Sequence, residues 1–165
     1  MGPEHRRSEA PSRAGLRSLA GALYFASALL LAVPFIDLGT NVWPIRAGDI
    51  AWRYGTVGLL SGFLLTPLLG LCIAAVVAAG LAQHRALRAL GILSALGAAA
   101  LLGVTVLFTL DTIQFRVQVP SEGRASYQIG ALRAWGKNLV VVAALVWLAV
   151  GASRAARALE AGQGR

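Results

Sequence analysis

The chain has little of what a water-exposed active site uses. Its 165 residues include one cysteine, two histidines and one lysine, and only 13% of them are charged. A single cysteine, Cys72, excludes an internal disulfide and a cysteine-cluster metal site. The two histidines, His5 and His84, lie far apart and do not form a ligand pair. No Asp, Glu, Lys, Arg or His falls in the middle of a long apolar run. Ionisable groups at membrane depth are the usual mark of a proton relay or an ion path. Their absence argues against a proton-coupled transporter with a midplane carboxylate, and against a charge-lined pore. The sequence has no Gly-Lys-Ser/Thr phosphate loop, no His-Glu-x-x-His, no Gly-x-Ser-x-Gly and no Cys-x-x-Cys. It therefore assigns no catalytic residue, no metal ligand and no cofactor, and the expectation is a protein that is not an enzyme.

What is abundant is apolar surface. Hydrophobic residues make up 57% of the chain and mean hydropathy is +0.68. Soluble domains average roughly 45–50% apolar and about 25% charged. Disorder is excluded too, since it needs low hydrophobicity and dense charge. The expected fold class is an all-α integral membrane protein.

Gaps between charges locate the helices. Arg17 and Asp37 are separated by 19 uncharged residues, Arg53 and Arg85 by 31, Arg88 and Asp111 by 22, and Lys137 and Arg154 by 16. About 20 apolar residues cross a hydrocarbon core about 30 Å thick. Four spans are predicted, 18–36, 56–81, 89–110 and 131–152. The last begins early if Arg133 and Lys137 snorkel to the interface. Residues 1–17 read as a basic cytoplasmic tail, 18–152 as a four-helix transmembrane domain, and 153–165 as a second cytoplasmic tail. The opening segment lacks the cleavage pattern of a secretory signal and the motif of a lipid anchor. Nine arginines fall in the tails and the 2–3 loop, against six basic residues in the 1–2 and 3–4 connections. That bias predicts a multi-pass protein of the cell's inner membrane with both termini cytoplasmic. Fourteen arginines to one lysine, with much alanine and glycine, point to a GC-rich bacterial genome.

The two long connections resemble each other. One follows Asp37 and passes Pro44 to Trp52 and Gly55; the other follows Asp111 and passes Pro120 to Tyr127 and Gly130. The pattern predicts two duplicated helical hairpins forming a parallel repeat, an arrangement known in transporters. Coincidence between two apolar hairpins is the plain alternative.

Small residues recur at four-residue spacing, in Gly58, Gly62, Thr66, Gly70, Ala74 and Ala78, and again in Gly91, Ala95, Ala99 and Gly103. Such stripes let helices approach closely in lipid. An antiparallel contact between spans 2 and 3 is expected, although the same stripes also suit another subunit. Pro67 removes a backbone hydrogen bond and is expected to kink span 2.

The densest polar group is the first connection. Asp37, Asn41, Trp43, Arg46, Asp49, Trp52 and Arg53, together with Asp111 and Arg116 from the second, form a candidate outward-facing pocket or docking surface. The plain alternative is an interfacial belt of aromatics and loop-tying ion pairs. Asp49 is expected to cap the helix that follows. Asp37 and Asp111 both sit where a helix dipole disfavours negative charge. Arg46 or Arg53 is the expected partner for Asp37, and Arg116, Arg133 or Lys137 for Asp111. Phe115–Pro120 alternates as a short strand or extended edge does. From Ala125 to Ala158 a single long helix is expected.

The net charge of +8 is spread over tails and loops, with no compact basic module, so no nucleic-acid partner is expected. The expected partners are the lipid bilayer, anionic lipid headgroups, and other membrane protein subunits or a second copy. The leading functional expectation is a small non-enzymatic accessory or assembly subunit of a larger membrane complex. The alternative is a small oligomeric transporter or channel with an outward-facing Asp/Arg/Trp pocket.

Overall fold

A computed structural model describes residues 4–117 and 119–163 of the chain. The side chains of 4–14, 16 and 163 lie outside that description, and with them His5, Arg6, Arg7 and Arg13 of the first expected tail; Arg165 of the second lies outside it altogether. The described residues are helical throughout, joined by short connections. Helix α1 is Glu4–Asn41, α2 Ile50–Phe63, α3 Leu65–Gly80, α4 His84–Phe115 and α5 Arg124–Gln163, with a 3-10 turn over Ser121–Gly123. Four stretches are long and apolar enough to cross a membrane: Arg17–Asn41, Ile50–Gly80, His84–Phe115 and Ser121–Gly162. Three of them contain the predicted spans 18–36, 89–110 and 131–152 and run past both limits, because helix propensity continues into the polar flanks where hydropathy stops; the second starts six residues before the predicted 56–81 and ends one residue short of it, at Gly80.

Two ends of the bundle can be named by their connections. The loop end carries the α1–α2 and α4–α5 connections, and the turn end carries the short α3–α4 turn. At the turn end Ala82 takes a positive φ of 54°, and the Leu81 N–H closes back on Val77.

The helix pairs α4–α5 and α1–α3 make the most extensive contacts. On α4 the buried positions are Asp111 and a series formed by Leu87, Gly91, Ser94, Ala98, Leu101, Thr105, Phe108 and Thr112; in the series the spacing is regular. Steps of four and three alternate, which is one position every 3.5 residues, the period of a left-handed helix seam. Tyr127, Ala131, Ala134, Asn138, Val141 and Leu145 answer on α5 with the same steps. The pairing is antiparallel: Gly91 lies against Ser153 and Ala149, Gly97 against Leu145, and Phe108 packs with Ala131 and Ala134.

Small residues do not keep to one helix–helix contact. At Gly70 an added Cβ would stand 2.9 Å from the Ser27 carbonyl oxygen, so α1 closes on α3 there. Gly91 serves the α4–α5 seam. Gly58, Gly62 and Gly103 face open space, and Ala95 and Ala99 are exposed. Ala78 of the first stripe packs with Leu87 of α4 at the turn end. The reason is geometric. At 3.6 residues per turn a four-residue step turns by about 40°, so five steps carry a stripe around to the other side of its helix.

Span 2 is broken where Pro67 predicts. Helix α2 ends at Phe63, Leu64 links it to α3, and the Leu68 N–H reaches the Leu64 carbonyl at 3.3 Å. The proline has no N–H for the Phe63 carbonyl one turn earlier. Beside this break lies an apolar cavity of about 260 Å³, lined among others by Leu31, Phe35, Leu64, Pro67, Leu101 and Val141.

Candidate functional site

The site at the loop end is assembled from the first turns of α2 upward. Asp49 stands just before the helix in an extended conformation, and its carboxylate accepts from the Ala51 N–H at 2.9 Å and the Trp52 N–H at 3.4 Å. This is the expected cap, and it satisfies donors that the helix start leaves unpaired. It fixes where α2 begins, and so where Arg53 and Tyr54 project.

Arg53 pairs with Asp111. Its Nε donates to Oδ2 at 2.9 Å and Oδ1 at 3.2 Å, and its Nη2 donates to Oδ1 at 2.7 Å. The remaining Nη1 donates to the Ala47 carbonyl at 2.7 Å. A guanidinium matches a carboxylate with two parallel donors, which gives this pair both strength and direction. Asp111 is 7% exposed. The clamp thus ties the α1–α2 connection and α2 to the end of α4. It also places a cation where the α4 dipole disfavours the carboxylate.

This corrects the expected pairing. Asp111 takes Arg53 from the other connection, and not Arg116, Arg133 or Lys137. Asp37 is exposed, and among the described residues neither Arg46 nor Arg53 pairs with it. Its backbone carbonyl instead accepts from Thr40 Oγ1 at 2.9 Å and Asn41 Nδ2 at 2.8 Å, closing the end of α1 locally. Arg53 is one residue with two acids to serve, and the α2–α4 packing brings it to Asp111.

Under the clamp lies an aromatic cluster. Tyr54 stacks on Tyr127, Phe108 and Phe115 with ring centroids 4.9, 5.2 and 5.6 Å apart. Trp135 meets Phe108 edge-on at 6.3 Å. The Tyr54 hydroxyl donates to the Tyr127 carbonyl at 3.1 Å, and the Tyr127 hydroxyl donates to the Thr112 carbonyl. Three helices are therefore cross-tied within one layer. Nothing in the charge pattern pointed to these aromatics as a unit. On α4 the seven-residue spacing of Phe108 and Phe115 does place both on one face.

Outside this layer stands a rim. Trp52 Nε1 donates to the Val42 carbonyl at 3.1 Å, which pins the first connection against α2. Beyond that tie Trp43 is 74% exposed, Ile45 65% and, on the second connection, Val117 85%. Arg46 and Arg116 are exposed alongside them. Phe115 ends α4, and Arg116 and Val117 form a turn, so the expected strand does not form among the described residues. Continuing α4 to Phe115 brings that ring onto Tyr54, and the helix wins over the alternating pattern.

Among the described residues no group of three His, Cys, Asp or Glu is placed to hold a metal ion. Both Asp111 oxygens accept from Arg53, and the freest polar and apolar groups are those of the rim. The chain matches no known protein family, no curated protein and no solved structure.

Proposed function

We propose that this chain is a non-enzymatic integral membrane protein that serves as an accessory or assembly subunit of a larger membrane complex. Its loop end is the docking face. The observation that carries this reading is the division of labour at the loop end. Arg53 and Asp111 are consumed by an internal clamp, while Trp43, Ile45, Arg46, Arg116 and Val117 stand outside it on a braced surface. A rigid rim of aromatic, aliphatic and arginine side chains has the composition of an interface anchor. The four long apolar helices support insertion across a membrane, and the arginine bias and arginine-, alanine- and glycine-rich composition of the sequence support a bacterial inner membrane with both termini cytoplasmic and the loop end outside. Anionic headgroups are the rim's natural neighbours when no partner covers it. The two hairpins are read as copies of one unit, supported by the matching Asp–Pro–aromatic–Gly order of their connections.

The other reading, a small transporter or channel with an Asp/Arg/Trp pocket, has less support, because two members of that pocket, Arg53 and Asp111, are bound to each other.

The test is purification of the tagged protein from its own membrane in mild detergent, with identification of copurifying chains. Wild type retains a defined membrane partner. A Trp43→Ala, Arg46→Ala, Val117→Ser triple variant of unchanged thermal stability loses it. A strictly monomeric particle with a hydrated central cavity overturns the subunit reading.

A further inference from the structure

Deeper in the bundle a second polar group lies between two apolar layers. The layer toward the loop end is Phe108, Ala131 and Ala134, with Tyr54 and Val57 packed against it. The layer below is Leu71, Leu101, Val141 and Leu145, with Leu60 and Leu64 against it. On each of three helices a polar residue falls between members of the two layers. Ser61 on α2 lies between Val57 and Leu64, the residue that follows α2; Thr105 lies between Leu101 and Phe108 on α4, and Asn138 between Ala134 and Val141 on α5. All three are buried, at 6%, 7% and 0% exposure.

Their hydrogen-bonding capacity does not close on itself. The Ser61 hydroxyl donates to the Gly58 carbonyl at 2.7 Å and the Thr105 hydroxyl to the Leu101 carbonyl at 2.7 Å. Both oxygens therefore remain as acceptors only. Asn138 has two amide hydrogens to donate and an oxygen that accepts. Neither its Nδ2 nor its Oδ1 has a protein partner among the described residues, and Trp135 Nε1, one turn earlier, has none either. A buried amide left unpaired is costly. The amide oxygen needs a donor from outside the layer, and the hydroxyl oxygens can accept one. A water molecule both donates and accepts twice, and buried waters typically hold two to four polar partners.

We propose that Ser61, Thr105 and Asn138 bind one internal water that joins α2, α4 and α5. The water donates to Asn138 Oδ1 and to a hydroxyl oxygen of Ser61 or Thr105, and it accepts from Asn138 Nδ2 or Trp135 Nε1. The layer then acts as a polar pin at one level of an otherwise apolar seam, the role a lone core asparagine plays in fixing helix register. This inference rests on the helix packing and not on the docking role proposed above.

The chain has only two asparagines, Asn41 and Asn138. Protein labelled with ¹⁵N-asparagine in detergent micelles therefore gives two side-chain amide pairs, assigned by an Asn41→Asp variant. The expected result is cross-relaxation between the Asn138 amide protons and a long-lived water, lost in a Ser61→Ala, Thr105→Val double variant whose circular dichroism and elution volume match wild type. If that variant fails to fold, Ser61→Ala alone serves, with a reduced water signal expected. A folded wild type with no water signal at Asn138 overturns the proposal. So does a signal that the hydroxyl variants leave unchanged, or cross-peaks to the Ser61 or Thr105 hydroxyl protons in place of water.

Discussion

Asp37 and Asp111 each end an apolar helix at the same end of the bundle, yet Asp37 faces solvent and Asp111 is 7% exposed. The connections that follow them are alike in order, and in each an aromatic reaches back to a backbone carbonyl. Trp52 donates to Val42, and Tyr127 donates to Thr112. The difference lies in the next residue, Arg53 after Trp52 and Gln128 after Tyr127. One hairpin has a cation at the right level and the other has none. Because α2 packs against α4, the first hairpin's arginine serves the second hairpin's acid. A local resemblance between hairpins thus ends in an asymmetric pair, and burial follows the cation.

The sharpest way to break this comparison is to remove each acid in turn. Asp111→Ala leaves Arg53 half-buried with only the Ala47 carbonyl. Removing one partner of a buried pair costs about 3–5 kcal/mol. Arg53 is 35% exposed in its side chain, which places the expected loss at the lower end or somewhat below, about 2–3 kcal/mol. Asp37→Ala is expected to change stability by no more than about 0.5 kcal/mol, as for other exposed sites. Thermal unfolding of the two variants in one detergent reads the difference directly. The double variant Arg53→Met, Asp111→Leu is expected to recover much of the loss, because a well-packed apolar pair can replace a buried ion pair.

Next in size are the glycines at which each hairpin closes. Gly70→Ala drives a Cβ to 2.9 Å from a backbone oxygen of α1, which cannot rotate away. Overpacking of this kind costs about 1–3 kcal/mol. Gly91→Ala meets the Ser153 hydroxyl at the same 2.9 Å, but that group can turn aside, so a smaller loss is expected. Gly103→Ala has open space, and is expected to stabilise by up to about 1 kcal/mol through helix propensity. Equal effects at Gly70 and Gly103 would remove the distinction between a closed contact and a free face.

Much of the fold was legible in the sequence. Long uncharged gaps between Arg and Asp residues are hard to satisfy except as four apolar helices, and Asp49 before an apolar run reads as a cap. Pro67 marks the break because its missing N–H is a local property. The partners of those helices were not legible. Asp111's arginine is 58 residues away, and only the packing of α2 on α4 selects Arg53 over nearer cations. Asn138 reads as an edge residue when counted from Lys137. Counted in steps of four and three from Tyr127, it falls on the buried seam. The period, and not the hydropathy, carries that information.

Tyr127→Phe tests the second hairpin's tie at smaller cost. It deletes the hydroxyl donated to Thr112 and leaves the ring stacked on Tyr54. The expected loss is about 1 kcal/mol, the net worth of an ordinary hydrogen bond. Trp52→Phe, which removes the matching donor to Val42 in the half-exposed first connection, is expected to cost less. A larger loss at Trp52 than at Tyr127 would reverse the ranking of the two hairpins.

The smallest effect is expected at the far end of the bundle. Arg88 and Glu160 join α4 to α5 at 3.6 Å, with side chains 66% and 40% exposed. The chemistry is the same as in the Arg53–Asp111 clamp, but here water competes for both groups and one long contact replaces a bidentate pair. Exposed pairs contribute about 0–1 kcal/mol. Glu160→Gln is therefore expected to lower stability by less than about 0.5 kcal/mol, and to lose even that in 1 M salt, where screening acts within about 3 Å. Asp111→Ala keeps most of its effect at the same salt, because its carboxylate is shielded from ions. Measuring both variants at low and high salt isolates the environment from the chemistry. If the two losses shrink in equal proportion, burial of Asp111 is not what distinguishes the clamp.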